Sequence, residues 1–192
     1  MIKSKSDLKK YLEQDKKANK IPSFSLGNFI IRLFSPDYIW NYILILRKYE
    51  YYLNTNKKFL QYYYKYRLNK LGCKLGFSIP ANVFGPGLSI PHYGLIVVNQ
   101  NAKVGRNCRL MHGVTIGATG GSAKAPKIGD NCFLGTNSVI LGDITICNNV
   151  SVAANATVVK SCTVKNAMLA GTPAVLKKEH CEIWWKMNRL DL

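Results

Sequence analysis

Aliphatic residues recur at every sixth position along the second half of the chain. They stand at Val98, Val104, Leu110 and Ile116, then in the same phase at Ile128, Leu134, Ile140, Ile146, Val152 and Val158. With about one residue in four aliphatic, chance would give such a run on the order of once in a million. The residue after each is often small (Gly105, Gly117, Gly129, Gly135, Ala153). Four positions on, the residue is again small or aliphatic, as at Ala102, Cys108, Val114, Cys132, Ser138, Ile144, Val150, Ala156 and Cys162. Neither the 3.6-residue helix period nor two-residue strand alternation yields this pattern. One short strand plus one turn per repeat does, with each inward aliphatic residue stacked on those of the coils above and below. Asn101, Asn107, Asn131, Asn137, Asn149 and Asn155 fall where such turns call for positive φ. The pattern predicts a mainly β protein, a parallel β-helix of hexapeptide repeats that buries its apolar ladder by stacking and needs capped ends.

The register breaks once. Between Ile116 and Ile128 the chain reads GATGGSAKAPK, and three glycines and a proline around a lysine predict a loop over 117–127 projecting from a rigid solenoid. The flanks lack the six-residue period, which divides the chain into a helical region at 1–75, the β-helix at 76–176 and a C-terminal helical segment at 177–192. Ser6-Asp7-Leu8 can start a first helix with Leu8, Tyr11 and Leu12 on one face. Pro22 to Gly27 breaks the chain, and Asn28–Phe34 and Pro36–Lys74 follow as helical segments, the second dense in Tyr and Lys. Gly171-Thr172-Pro173-Ala174 closes the solenoid. Glu179–Leu190, with Ile183, Trp184, Trp185 and Met187, reads as a cap or subunit clamp, with membrane-surface contact as the alternative.

Charge adds to this picture. The 192 residues carry a net charge of +17, and residues 1–75 hold 16 Lys/Arg against 5 Asp/Glu. Such an excess suits anionic partners (phosphate-bearing coenzymes, lipid headgroups or nucleic acid), or reflects a bias toward Lys, Asn, Ile and Tyr. No recognition-helix or zinc-finger pattern supports nucleic acid. The opening MIKSKSDLKKYLEQDKK has no apolar stretch behind its charges, so no secretory signal is expected. Tyr38–Leu46 is too short to span a bilayer. The six cysteines show no C-x-x-C pair and read as buried thiols of a cytoplasmic protein.

The chemistry rests on three histidines. His180 falls in the C-terminal segment and reads as structural. His92 lies in GLSIPHYGLIVV and His112 in RLMHGVTIGATGG, twenty residues on. If three hexapeptides make one coil, the two stand about one coil apart on similar sides, near the glycine-rich loop. Either a satisfied structural pair or a catalytic cleft would follow from that spacing.

The segment Ile79–Val175 resembles the catalytic domain of serine acetyltransferases and related glycan O-acetyltransferases of the hexapeptide family. The resemblance rests on IPHYGLIVVNQNAKVG, MHGVTIGATGG, APKIGDNCFLGTNSVILGDITI and LAGTPA. It implies a left-handed β-helix, a homotrimer or hexamer with active sites between subunits, and acetyl-CoA as co-substrate without a metal. It makes His92 the base that deprotonates the acceptor hydroxyl, with His112 as a second catalytic candidate. The coenzyme would lie along Gly117, Ala118, Thr136, Ala154 and Lys160, and the acceptor near Tyr93 and Lys124. Pro91 and Ser78 stand where the serine enzymes carry aspartates, and Lys124-Ala125-Pro126 where they carry Arg-His-Pro. Those losses remove the groups that grip a zwitterion, so the expected acceptor is a sugar or polysaccharide precursor, with serine as the rival. What orients the imidazole of His92 stays open between His112, a backbone carbonyl and a residue of the next subunit. A zinc-dependent carbonic anhydrase of the same fold would need a third histidine. A basic scaffold without activity is the non-enzymatic alternative, and cytoplasmic placement, at or away from the inner membrane surface, is expected.

Overall fold

The computed structural model describes residues 1–22 and 37–179. The expected helices at Asn28–Phe34 and Glu179–Leu190 lie outside the described residues, Glu179 apart, as does His180.

Helix α1 (Lys5–Ala18) starts at Ser4, two residues earlier than Ser6. The Ser4 hydroxyl accepts from the Asp7 amide, and the Asp7 carboxylate accepts from the Ser4 amide. This capping box satisfies amides that the first turn leaves free, which decides the start. The segment Pro36–Lys74 is not one helix but two, α2 (Tyr38–Asn54) and α3 (Lys58–Leu75). The break falls at Asn56, whose φ of 55° takes the chain out of the helix. Asp37 caps α2 through the Trp40 amide, and Gly76, at φ 76°, ends α3.

The β-helix is left-handed and runs through three sheets whose coil strands pair in parallel. The first holds β1 (Phe77–Ser78), β2 (Ile96–Val98), β5 (Thr115–Gly117), β8 (Val139–Leu141) and β11 (Thr157–Val158). The second holds β3 (Lys103–Val104), β6 (Lys127–Ile128) and β9 (Thr145–Ile146). The third holds β4 (Arg109–Leu110), β7 (Phe133–Leu134), β10 (Ser151–Val152), β12 (Met168–Gly171) and β13 (Ala174–Lys178). The residues of the six-residue register pair in successive coils, as Val98 with Ile116 and Ile116 with Ile140. All ten are 5% exposed or less. The second ladder, Ala102 to Cys162, is buried as well. Each of the larger aliphatics contributes about 1.5–3 kcal/mol by leaving water.

Five of the six asparagines assigned to turns adopt positive φ, between 54° and 62°. Asn101 is the exception, and its amide instead donates to the Asn99 side chain in a local turn. Side-chain amides link corners between coils, Asn107 to Asn131 at 3.0 Å and Asn131 to Asn149 at 2.9 Å.

One further coil precedes the register. Phe84 bridges to Val104 and Ser89 to Arg109, which aligns Ile90 with Leu110. Leu110 reaches Ile116 in six residues, but Ile90 reaches its counterpart Val98 in eight. The corner carrying His92 is therefore wider by two residues, which hides this coil from a strict six-residue search.

The lower end of the solenoid is closed by the helices through a sealed charge cluster. Arg47 is fully buried and donates to Asp15 at 2.8 Å, Glu50 at 2.9 Å and the Phe84 and Gly85 carbonyls. Asp15 also accepts from the Gly87 and Leu88 amides, and Glu50 from the Asn82 amide. Burial alone would lower the Arg47 pKa, but Glu50 and Asp15 more than offset it and keep the guanidinium charged. At the upper end β12 and β13 form an antiparallel hairpin turning at Gly171–Pro173, and β13 runs to Lys178, two residues past the expected boundary at 176. Cys108, Cys132 and Cys162 are buried, and burial pushes the Cys132 thiol up to about 12.

Candidate active site

The site grows from the corner where the third sheet hands the chain to the first. His92 stands two residues after Ile90, His112 two after Leu110, Thr136 two after Leu134 and Ala154 two after Val152. Coil stacking turns this shared offset into a column along one edge of the solenoid. The backbone ties it together: the Asn137 amide donates to the His112 carbonyl at 2.9 Å and the Asn155 amide to the Thr136 carbonyl at 2.8 Å. The two imidazoles meet edge to face with centroids 6.1 Å apart. His92 and Tyr93 are exposed on the widened corner, and His112 is half-buried beneath. Gly94 permits that approach, because at φ 127° a Cβ there would lie 3.1 Å from the Cβ of His112.

Among the described residues neither imidazole makes a hydrogen bond. Ser78 pairs in register with Val97 on the first sheet and makes no bond to His92. The acids of the β-helix lie at the other two corners: Asp130 pairs with Arg106 at 3.0 Å, and Asp143 sits beside the loop. Among the described residues of one chain His92 thus has an aromatic neighbour in His112 and no carboxylate to orient it.

The remaining expected site residues lie at the opposite edge of the first sheet. Strand β5 starts beyond His112 and ends at Gly117, so Gly117 and Ala118 stand at the far end of that strand from the histidine column. The loop leaves there and is held at two points: the Asn101 side chain donates to the Ala123 carbonyl at 2.7 Å, and Lys124 pairs with Asp143 at 2.8 Å. The hydrogen bond that Lys124 donates to the Asp143 carboxylate raises the Lys124 pKa, so the ammonium is partnered in the free protein. Lys160 is exposed on the same edge two coils up. Sequence spacing puts the histidines near the glycine-rich loop; the fold separates them within a chain by the width of the sheet. Between the two edges the outer face of the sheet shows Leu95 at 71%, Val97 at 48% and Val159 at 43% exposure.

Asp143 and the two-residue widening escaped the sequence reading. The first follows Leu141-Gly142 with nothing to mark it as a lysine partner. The second is visible in sequence as eight residues between Ile90 and Val98, once the coil before the register is known. Among the described residues no group of three His, Cys, Asp or Glu could hold a metal ion.

Residues 125–160 match the family described as bacterial transferase hexapeptide (six repeats). Over those residues the chain carries the repeat that this family is described by. The chain is 40% identical over 107 residues to the colanic acid biosynthesis acetyltransferase WcaB of Escherichia coli K12, covering 55% of this chain and 65% of that protein. It is 33% identical over 126 residues to serine acetyltransferase 2 of Arabidopsis thaliana, covering 64% of this chain and 38% of the relative. The chain thus spans less than two thirds of the length of these relatives. Among solved structures, the serine acetyltransferase of Neisseria gonorrhoeae superposes with a TM-score of 0.73 at 27% identity, covering 96% of this chain and 72% of that one.

Proposed function

We propose that this protein is an acetyl-CoA-dependent O-acetyltransferase whose acceptor is a hydroxyl of a sugar or polysaccharide precursor. The observation that carries the reading is the stacked histidine corner of a hexapeptide β-helix, with His92 exposed at its widened end. An imidazole there can take the hydroxyl proton as the oxygen bonds to the thioester carbonyl carbon. As the C–S bond breaks, His92 returns that proton to the departing thiolate, so the products are the acetyl ester and free coenzyme A. Thr136 and Ala154 continue the column in small side chains, and Gly117 and Ala118 offer backbone at the other edge, which suits an extended pantetheine arm held through main-chain groups. Lys160 is placed for its phosphates and Tyr93 for the acceptor ring.

The two half-sites lie on opposite edges of one sheet whose outer face is apolar. A trimer that buries Leu95, Val97 and Val159 would bring the histidine edge of one copy against the loop edge of the next. It would also supply a group from the neighbour to orient His92. Among the described residues no carboxylate stands beside His92, and Pro91 and Ser78 take the place of acids, which supports a neutral acceptor. The reading places the reaction in the cytoplasm, where acetyl-CoA is made available.

Free serine is the second reading, favoured because the solved serine acetyltransferase matches the helical region as well as the β-helix. Coenzyme A release, measured with L-serine and with a panel of sugars and glycan precursors, separates them. Turnover with sugar hydroxyls and none with serine is the expected outcome; saturable turnover of millimolar L-serine would overturn the glycan assignment.

A further inference from the structure

Helix α3 packs on the protein through Leu68, Gly72 and Leu75, which are buried, with Tyr64 half-buried beside them. Phe59, Tyr62 and Tyr66 follow the i, i+3, i+7 spacing of a single face, which lies about half a turn from the packed one. Phe59 is 84% exposed, Tyr62 and Tyr66 64% each, and neighbouring Tyr63 47%. Single exposed aromatics are ordinary, but four on one helix face are not. Among the described residues the groups found against these rings come from α3 itself: Arg67 over Tyr63 at 5.7 Å, Lys70 over Tyr66 at 6.0 Å, and Tyr64 edge to face with Tyr63 at 5.1 Å between centroids.

The charge around the stripe is of one sign. Lys58 and Lys65 flank it on one side and Arg67, Lys70 and Lys74 on the other, and no Asp or Glu occurs between Glu50 and Asp130. We propose that this face of α3 docks on the anionic surface of a lipid bilayer. Tyrosine and phenylalanine rings settle at the headgroup level, and flanking lysines reach outward to lipid phosphates. A second copy of the same face would set like charges against like. A nucleic acid would need a groove to track its backbone, and this face is the convex side of one helix. No helix among the described residues is long and apolar enough to cross a membrane, so the contact is peripheral.

Docking by α3 would carry the histidine corner to the membrane. The Leu75 carbonyl accepts from the Gly94 amide at 3.3 Å and the Gly76 carbonyl from the Ile96 amide at 2.9 Å. Tyr66 lies about 14 Å along the helix from Leu75. An acceptor carried on a lipid would be within reach there, although docking itself does not depend on the acetyl-transfer reading.

The test is co-sedimentation of the full chain with vesicles of mixed phosphatidylglycerol and phosphatidylcholine, against pure phosphatidylcholine, at low and physiological salt. Binding to the anionic vesicles is expected, weakening with salt. Joint substitution Phe59→Ser, Tyr62→Ser and Tyr66→Ser should lower partitioning about tenfold. Lys65→Glu with Lys70→Glu should lower it roughly fivefold for each charge removed. Coenzyme A release with a soluble acceptor should be unchanged in the triple variant, so a failure of docking is distinguishable from a failure of acetyl transfer. No sedimentation of the parent protein, or binding untouched by the triple variant, would overturn the proposal. So would self-association, or tighter binding of a single-stranded oligonucleotide, that the same variant abolishes.

Discussion

Replacing Arg47 with methionine removes the cation from a cluster sealed from water while keeping most of the side chain's bulk. The guanidinium and Asp15 are fully buried and Glu50 is 2% exposed. Arg47 makes hydrogen bonds to both carboxylates and to the Phe84 and Gly85 carbonyls. Without it Asp15 keeps the Gly87 and Leu88 amides and Glu50 keeps the Asn82 amide, but two buried negative charges face each other uncompensated. Breaking a buried pair by deleting one member costs about 3–5 kcal/mol. In a chain of this size that lowers Tm by roughly 6–20 °C, at 2–4 °C per kcal/mol. Because the same bonds hold the coil leading into His92, loss of transfer activity should set in at temperatures where the parent still works. Thermal unfolding followed by circular dichroism measures the shift, and adding Asp15→Asn and Glu50→Gln to Arg47→Met should recover part of it. A shift under about 3 °C for Arg47→Met, or no recovery in the triple variant, would refute the view that this cluster fastens the helices to the solenoid.

Other outcomes follow from the same structure. His92→Ala should lower coenzyme A release by about 10²–10⁴-fold without changing Tm, whereas a scaffold protein would behave as before. Leu95→Glu with Val97→Glu should leave monomers in sedimentation velocity and abolish activity together, and trimers that persist would exclude this face as the interface. Gly113→Ala forces a Cβ into the Asn137 side chain at φ 76°, and a stability loss of about 1–3 kcal/mol is expected in urea unfolding. At pH 8 a thiol reagent should modify exposed Cys73 rapidly in the native protein and leave Cys132 untouched, since burial holds that thiol at about 12. The Asp7 carboxyl lies below its ordinary value because it accepts from the Lys3 and Ser4 amides. Its contribution to α1 is therefore present above the usual carboxylate range and lost as pH falls through the lowered value, which helicity in acid will show.

The β-helix was legible before any coordinates because its core is one-dimensional. Each inward residue meets its own counterpart one coil away, so Val98 through Val158 repeat an identical environment and carry an identical chemical type. The turns were legible for the same reason, and Asn101 departs where the neighbouring loop claims its side-chain amide. The ion cluster of Arg47, Asp15 and Glu50 was not. Its members lie up to 35 residues apart, and nothing local distinguishes a buried arginine in a helix from a solvated one.

The sequence by itself therefore determined the repeat and its fold, since these depend on spacing along the chain, and it made His92 a candidate base through its resemblance to the hexapeptide acetyltransferases. The tertiary structure decided what that histidine stands beside. Coil stacking sets His112 edge to face with it, puts Thr136 and Ala154 on the same column, and sends Gly117, Ala118 and Lys124 to the far edge of the sheet. The two-residue widening after Ile90 lifts His92 into solvent, and the corner placement of Asp130 and Asp143 leaves it without an acid from the β-helix. Sequence order cannot express which corner of a triangular coil a residue occupies until every inserted residue has been counted, and it is the corner that decides the partners.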